Sequence, residues 1–211
     1  MAHRQNVSRE ALAPAADSRS LGVARLLSIA FNPMFVGIAA YLVVGYFAPI
    51  DGGNGLAWAG LSVLLQVLPP LVFYVVQLRR GAFSDMDVSV RHERNQMFLF
   101  GSVSVLLAIA ALVALGVPRP LLALAVGTLA IGIVCGMINL TWKISMHAAG
   151  MGSLATVALM YAGSLGLALW AVAAAVGWAR VRTRNHTPLQ VLAGFLASAV
   201  IMALTFAFLG Q

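Results

Sequence analysis

Long apolar runs occupy most of this chain and constrain its fold more than any other feature. Hydrophobic residues make up 61% of the 211 positions and charged residues only 9%, whereas a soluble domain carries roughly a quarter charged residues. So few charges cannot cover a globule with polar surface, so lipid must surround much of the chain. The sequence therefore predicts an all-α, polytopic membrane helical bundle.

Seven apolar segments are separated by polar or glycine-rich breaks. Because one span needs roughly 20 apolar residues, they predict about six to seven transmembrane helices, at 22–48, 56–78, 96–116, 120–141, 148–164, 166–181 and 188–209. Asn32-Pro33 can cap and start a helix inside the first segment, and Gly163, Ser164 and Gly166 break the stretch from 148 to 181. Residues 1–20 are polar and predicted to be a retained, disordered tail. Residues 21–211 then form a single membrane domain.

Positive charge falls almost entirely on one side of this predicted bundle. If all seven segments cross, only Arg119 of the 13 Lys and Arg residues lies on the opposite side. By the positive-inside rule, the N-terminus and the basic loops are predicted to be cytoplasmic, in a bacterial-type inner (plasma) membrane. The net charge is +7, and the basic residues flank the predicted spans. Membrane lipids, and not nucleic acid, are therefore the expected partners. Self-association, or a partner within a membrane complex, is compatible with the same pattern.

Three polar clusters lie on the basic face, at 84–95, 142–147 and 180–188, and they hold three of the four histidines. Ser145 and His147 come just before a helix predicted to begin near Ala148, where free N–H groups favour an anion. Thr187-Pro188-Leu189-Gln190 has the capping-box pattern, which fixes His186 immediately outside the last helix. The lone cysteine, Cys135, excludes a disulfide framework and a cysteine-based metal site.

These clusters resemble, in the same order, the three motifs of the type-2 phosphatidic acid phosphatase superfamily. Ser145-Met146-His147 is similar to the family's Pro-Ser-Gly-His motif. Arg180, followed after five residues by His186, is similar to Ser-Arg-(five)-His-(three)-Asp. Arg94 is similar to the arginine of the first motif, Lys-(six)-Arg-Pro. The resemblance covers residues 79–200, which would form a phosphatase-like core.

The resemblance implies a metal-independent membrane phosphatase that needs no cofactor and hydrolyses a lipid or isoprenoid phosphate through a phosphohistidine. His186 would be the nucleophile, and His147 would protonate the leaving alcohol. The phosphate-binding residues would be Arg94, Ser145 and Arg180. Phosphoryl transfer depends mostly on positioning and charge stabilisation, and guanidinium groups suit phosphate geometry.

Six motif positions depart from the family pattern, and they are Asp87, Asn95, Ile144, Met146, Ala179 and Gln190. Lys143 lies two residues before Ser145 and is predicted, from its charge and position, to supply the missing phosphate-binding cation. Gln190 stands where the family has aspartate, one turn after His186. It is predicted to orient the ring by accepting a hydrogen bond, but it brings no negative charge. The loss of a comparable aspartate costs serine proteases about 10⁴ in turnover, so activity is expected to be reduced or absent.

Other interpretations remain open on the same residues. The six departures favour a catalytically inactive relative that acts as a lipid-binding or accessory subunit of a membrane complex. Asp85-Met86-Asp87 resembles the aspartate-rich Mg²⁺-diphosphate site of membrane prenyltransferases, but this is disfavoured because those enzymes have two such motifs with wider spacing and the sequence has one short pair. A transporter or channel is disfavoured because the spans are almost charge-free. His3 and His92 are predicted to be solvated, and the remaining basic-face arginines are predicted to orient the bundle; among them are Arg79, Arg80, Arg182 and Arg184.

Overall fold

The computed structural model describes residues 15–86, 88 and 90–210, with side chains from residue 18 onward, and these residues form helices without a strand. This confirms the predicted all-α membrane bundle. A short 3-10 turn lies at Asp51–Gly53. The helices are α1 (Ala15–Ala30), α2 (Pro33–Phe47), α3 (Gly55–Gln66), α4 (Leu68–Arg79), α5 (Arg94–Ala114), α6 (Arg119–Thr141), α7 (Met146–Ala162), α8 (Ser164–Arg182) and α9 (Pro188–Leu209).

Five segments of the described chain are long and apolar enough to cross a membrane: α3 with α4, α5, α6, α8 and α9. The α1–α2 pair would be a sixth, but it is bent by 52°. Helix α7 has 17 residues, is buried along most of its length, and packs against α2, α8 and α9. Its length is at the lower end of what spans a bilayer. The bundle is therefore built around a short central helix of small residues.

Several helix ends confirm what the sequence predicts. Asn32 Oδ1 accepts a hydrogen bond from the Met34 N–H at 3.0 Å, so α2 begins at the predicted cap. Gly163 has a φ of 47°, a conformation that favours glycine, and it separates α7 from α8. A Cβ at Gly166 would lie 2.2 Å from Leu159 Cα, so glycine is needed where these two helices meet.

One boundary differs from the prediction, and one correctly predicted span contains a break. Helix α1 begins at Ala15, so residues 15–20 of the predicted tail are helical, while residues 1–14 lie outside the described chain. The helix packs against α8, and Arg182 Nε donates to Ser20 Oγ at 3.1 Å, which stabilises this extra turn. The predicted span at 56–78 is interrupted at Val67. Pro69 and Pro70 lack the N–H groups that would continue the helical hydrogen bonding across this point.

Two helical hairpins bring the polar clusters together at one end of the bundle. Helices α5 and α6 run out and back between Arg94 and Thr141, and α7 and α8 do the same between Met146 and Arg182. Arg91 lies just before α5 and donates hydrogen bonds to the carbonyl oxygens of Asn139 and Leu140, in the last turn of α6. The three clusters therefore share one face, as the span pattern predicts.

Candidate functional site

A buried basic pocket lies where the three clusters meet. It has a volume of about 190 Å³, and its polar walls include Arg94, His147, Arg180 and His186. All four side chains are at most 8% exposed. The structure therefore brings together four of the site residues predicted from sequence, although they come from positions almost 100 residues apart. We call this cavity the basic pocket.

The end of α8 and the start of α9 hold His186 in place. The N–H groups of Asn185 and His186 both donate to the Arg180 carbonyl, at 3.2 and 3.1 Å, which folds the linker back onto the helix end. Thr187 Oγ1 accepts from the Gln190 N–H at 3.3 Å, and Gln190 Oε1 accepts from the Thr187 N–H at 3.2 Å. This is the predicted capping box.

Gln190 also determines which nitrogen of His186 carries hydrogen. A backbone N–H can only donate, so the amide atom facing the Thr187 N–H must be the oxygen. The same Oε1 lies 3.1 Å from His186 Nδ1, which must then carry the proton. In the neutral ring the lone pair is left on Nε2. The predicted orienting role of Gln190 therefore has a geometric basis.

The surroundings of His186 favour its neutral form. Burial lowers the pKa of His186 to about 3, and the positive charges of Arg94, Lys143 and Arg180 contribute in that order, while the hydrogen bond to Gln190 partly opposes them. Near neutral pH the ring is therefore uncharged and has a free lone pair. The same three cations create a site that favours an anion.

His147 lies in the first turn of the central helix α7. Its Nε2 is 3.1 Å from the carbonyl oxygen of Ser28, which can only accept, so Nε2 carries hydrogen. In the neutral ring, Nδ1 is then the nitrogen without hydrogen. The partner carbonyl comes from α1, 119 residues away. Local sequence patterns gave no signal for this contact.

Ser145 has a different role from the one predicted. It is fully buried, it is not among the residues lining the basic pocket, and its Oγ accepts from the Ala148 N–H at 3.4 Å as the cap of α7. Its N–H donates to the Gln190 carbonyl at 3.4 Å. A Cβ at Gly194 would lie 2.7 Å from the Ser145 carbonyl oxygen, so glycine permits this contact between α7 and α9. Ser145 therefore links the second and third polar clusters and does not line the basic pocket.

Lys143 and the acidic residues lie around the pocket. Lys143 is half-buried and acts on His186 through its charge, but it is not a lining residue. Hydrogen bonds from the Ser84 hydroxyl and N–H lower the pKa of Glu93. Asp87 lies outside the described residues, and Asp85 lines an outer cavity. Among the described residues, no three His, Cys, Asp or Glu side chains are grouped to hold a metal ion.

A buried amide anchors the loop that carries Arg94. Asn139 Nδ2 donates to the Arg91 carbonyl at 3.0 Å and to Asn95 Oδ1 at 2.9 Å, and Arg91 caps the end of α6 in return. The Arg94 guanidinium lies 5.7 Å from the centre of the Phe98 ring, within cation–π range. Sequence reasoning missed Asn139, although a lone asparagine near the end of an apolar span was the available signal.

Two further cavities adjoin the basic pocket. An outer cavity of about 660 Å³ includes Arg25, Tyr74 and Asp85 in its walls and shares Asn32, Met34, Tyr74 and Met86 with the basic pocket. An apolar cavity of about 240 Å³ lies deeper, with most of its walls formed by α2, α5, α6 and α7. It shares Pro33, Met34, Met97, Phe98 and Met146 with the basic pocket. We call it the apolar cavity. His92 lies outside all of these cavities and is exposed, as predicted.

The chain matches no family model, no curated protein and no solved structure.

Proposed function

We propose that this chain is an integral membrane phosphatase that hydrolyses a lipid or isoprenoid phosphate through a phosphohistidine intermediate. The observation that carries the proposal is the arrangement of two histidines and two arginines around one buried pocket that continues into an apolar cavity. Such a site matches a substrate with an anionic head and a hydrocarbon body. Fully apolar surroundings alone would bind lipid without selecting phosphate.

The head group would bind between Arg94 and Arg180. Both guanidinium groups line the pocket and are almost fully buried, so their attraction for phosphoryl oxygens is weakly screened by water. Their planar donor geometry suits bidentate contacts to phosphate. Lys143 adds positive charge from outside the lining.

In the first chemical step, the Nε2 lone pair of His186 forms a bond to phosphorus while the bond from phosphorus to the ester oxygen breaks. The departing alkoxide takes the Nδ1 proton of a protonated His147, whose Nε2–H stays on the Ser28 carbonyl. In the second step, water attacks phosphorus and returns a proton to His147, and the P–N bond breaks. The products are the alcohol and inorganic phosphate.

Gln190 would hold the His186 ring in the reactive tautomer throughout these steps. It stabilises the cationic phosphorylated ring less than a carboxylate would, because it is neutral. This same observation favours one rival, a catalytically inactive accessory subunit that binds lipid phosphate without turnover. The two functions differ in whether phosphate is released.

We also propose that the basic face points to the cytoplasm, in a bacterial-type inner membrane. The support is the sidedness of the charge: Arg25, Arg80, Arg91 and Arg184 all lie at the same end as the basic pocket, while Arg119 lies at the far end of α5 and α6. Substrate would then reach the site from the cytoplasmic leaflet.

Phosphate release from phosphatidate and from a prenyl diphosphate, by purified protein in excess chelator, tests the proposal. We expect the wild type to release phosphate from at least one of these two substrates and His186→Ala to release none from either. His92→Ala is the matched control, because His92 is exposed on the same face and lies outside the pocket. Binding of lipid phosphate without release by the wild type would favour the accessory subunit, and release that survives His186→Ala would contradict the mechanism.

A further inference from the structure

The apolar cavity defines the kind of hydrocarbon that the site accepts. We infer that it holds the substrate's hydrocarbon, as a single chain of about ten carbons, because its lining on α2 extends over about 12 Å. The inference rests on the proposed function only in placing a phosphate in the basic pocket. It selects single-chain alkyl or short prenyl phosphates over diacyl lipids.

Continuity with the basic pocket is the first support. The two cavities share the side chains of Pro33, Met34, Met97, Phe98 and Met146, so a molecule whose phosphate lies between the arginines has its next atoms beside these residues. All five are apolar. They form a neck that admits hydrocarbon and disfavours a second charged group.

The volume of the cavity sets the size of its occupant. An apolar cavity of about 150 Å³ holds one benzene molecule, which has six carbons. The apolar cavity measures about 240 Å³, which scales to roughly ten carbons. Two long acyl chains exceed this volume several times over.

The depth of the cavity gives the same length independently. Tyr41 follows Pro33 by eight residues in α2, so it lies about 12 Å deeper along the helix. Carbon–carbon bonds of about 1.5 Å in a zigzag cover that distance with roughly ten carbons.

A polar pair lines the cavity at this depth. The Tyr41 hydroxyl donates to Gln66 Oε1 at 2.8 Å. Gln66 Nε2 is buried and makes no hydrogen bond within the described chain. A longer hydrocarbon would cover the Gln66 amide group and exclude water from it. Burying this donor without a hydrogen bond is unfavourable. The pair therefore disfavours hydrocarbon beyond this depth.

Two wall positions allow the cavity to be shortened without disturbing the helices. Gly37 and Gly101 line the cavity, and a Cβ at either one meets nothing within 4 Å. Gly37 lies four residues, or about 6 Å, below Pro33. A leucine there would close the cavity at roughly half its depth, and leucine has a higher helix propensity than glycine. Gly60 is the matched control, because it is also helical and open to a Cβ but lies outside the cavity.

The experiment measures KM for phosphate release with a series of n-alkyl monophosphates from butyl to dodecyl, and with geranyl and farnesyl monophosphates. Wild type, Gly37→Leu and Gly60→Leu are compared at constant detergent, so partition into micelles cancels for each chain length. Burial of one methylene changes binding by about fourfold. We expect Gly37→Leu to raise KM for decyl phosphate at least tenfold while butyl phosphate changes less than twofold. Gly60→Leu should match the wild type.

A second readout separates this inference from the proposed function. Thermal stabilisation by the same alkyl phosphates reports binding alone. We expect thermal stabilisation to increase with chain length up to about ten carbons in the wild type and to level off at a shorter chain in Gly37→Leu. This result supports the inference even if no phosphate is released. A wild type that responds equally to butyl and decyl phosphate, or a control that changes as much as Gly37→Leu, would overturn it.

Discussion

Replacing Gln190 by Glu tests the role of this side chain with almost no change in shape. Glutamate has the same length, and its carboxylate can accept from both the Thr187 N–H and His186 Nδ1, as Gln190 Oε1 does now. The capping box is therefore retained, since Glu and Gln serve equally at this position. The one physical difference is a negative charge in contact with the His186 ring.

The size of the effect follows from the pKa of His186. Burial and the charges of Arg94, Lys143 and Arg180 lower this pKa to about 3. A carboxylate in contact with an ionisable group stabilises its charged form by roughly one to three pKa units, which places the pKa of His186 in Gln190→Glu at about 4 to 6. The carboxylate also stabilises the cationic phosphorylated ring, so we expect turnover near pH 8 to rise at least tenfold.

The assay is kcat/KM for phosphate release between pH 3.5 and 8, because this ratio reports the ionisation of the free enzyme. The wild type should lose little activity down to about pH 4, since attack requires neutral His186. Gln190→Glu should lose activity at least one pH unit earlier. Gln96→Glu is the control, because Gln96 is an exposed glutamine on α5. If the pH below which kcat/KM falls is the same in Gln190→Glu as in the wild type, or shifts equally in Gln96→Glu, the assigned hydrogen bond is refuted.

Three further perturbations test other parts of the structure. The folded-state pKa of His186 lies below its unfolded value of 6.5, so the unfolded chain binds this proton more readily. The free energy of unfolding should therefore decrease as the pH is lowered from 6.5 to about 3, by at most about 1.4 kcal/mol per pH unit. His186→Gln should remove part of this dependence in denaturant titrations at pH 7 and pH 4. Asn139→Leu removes two hydrogen bonds from the loop before α5, so it should lower stability by about 1 to 2 kcal/mol and raise KM, with turnover of bound substrate less affected. Gly166→Val places a side chain against the Leu159 backbone and should destabilise the fold by at least about 3 kcal/mol, whereas Gly60→Val should cost less than half of that in the same thermal assay.

The bundle was predictable because its determinants are local. Apolar runs located most spans to within about two residues, Asn32-Pro33 identified the start of α2, and the Thr187–Gln190 pattern identified a cap that exists. Each of these signals depends on residues within a few positions of one another. The resemblance to a phosphatase family, with the order and sidedness of the motifs, also predicted that four side chains would meet: Arg94, His147, Arg180 and His186.

The remaining features depend on contacts between distant segments. The Ser28 carbonyl that fixes the tautomer of His147 belongs to a helix whose packing no local pattern specifies. Ser145 was predicted to bind phosphate because its type and position matched a motif, but its hydroxyl satisfies the first turn of α7 instead. The apolar cavity is a gap among helices that are distant in the sequence, and no local pattern specifies where their side chains fail to fill space.

The proposed mechanism requires that phosphate becomes covalently bonded to His186 during turnover. Protein incubated with labelled substrate and quenched in alkali should carry acid-labile phosphate on the peptide containing His186, and the label should be absent from His186→Ala and present in His92→Ala. If phosphate is released while no acid-labile label forms on this histidine under any quench, the account of the basic pocket is wrong.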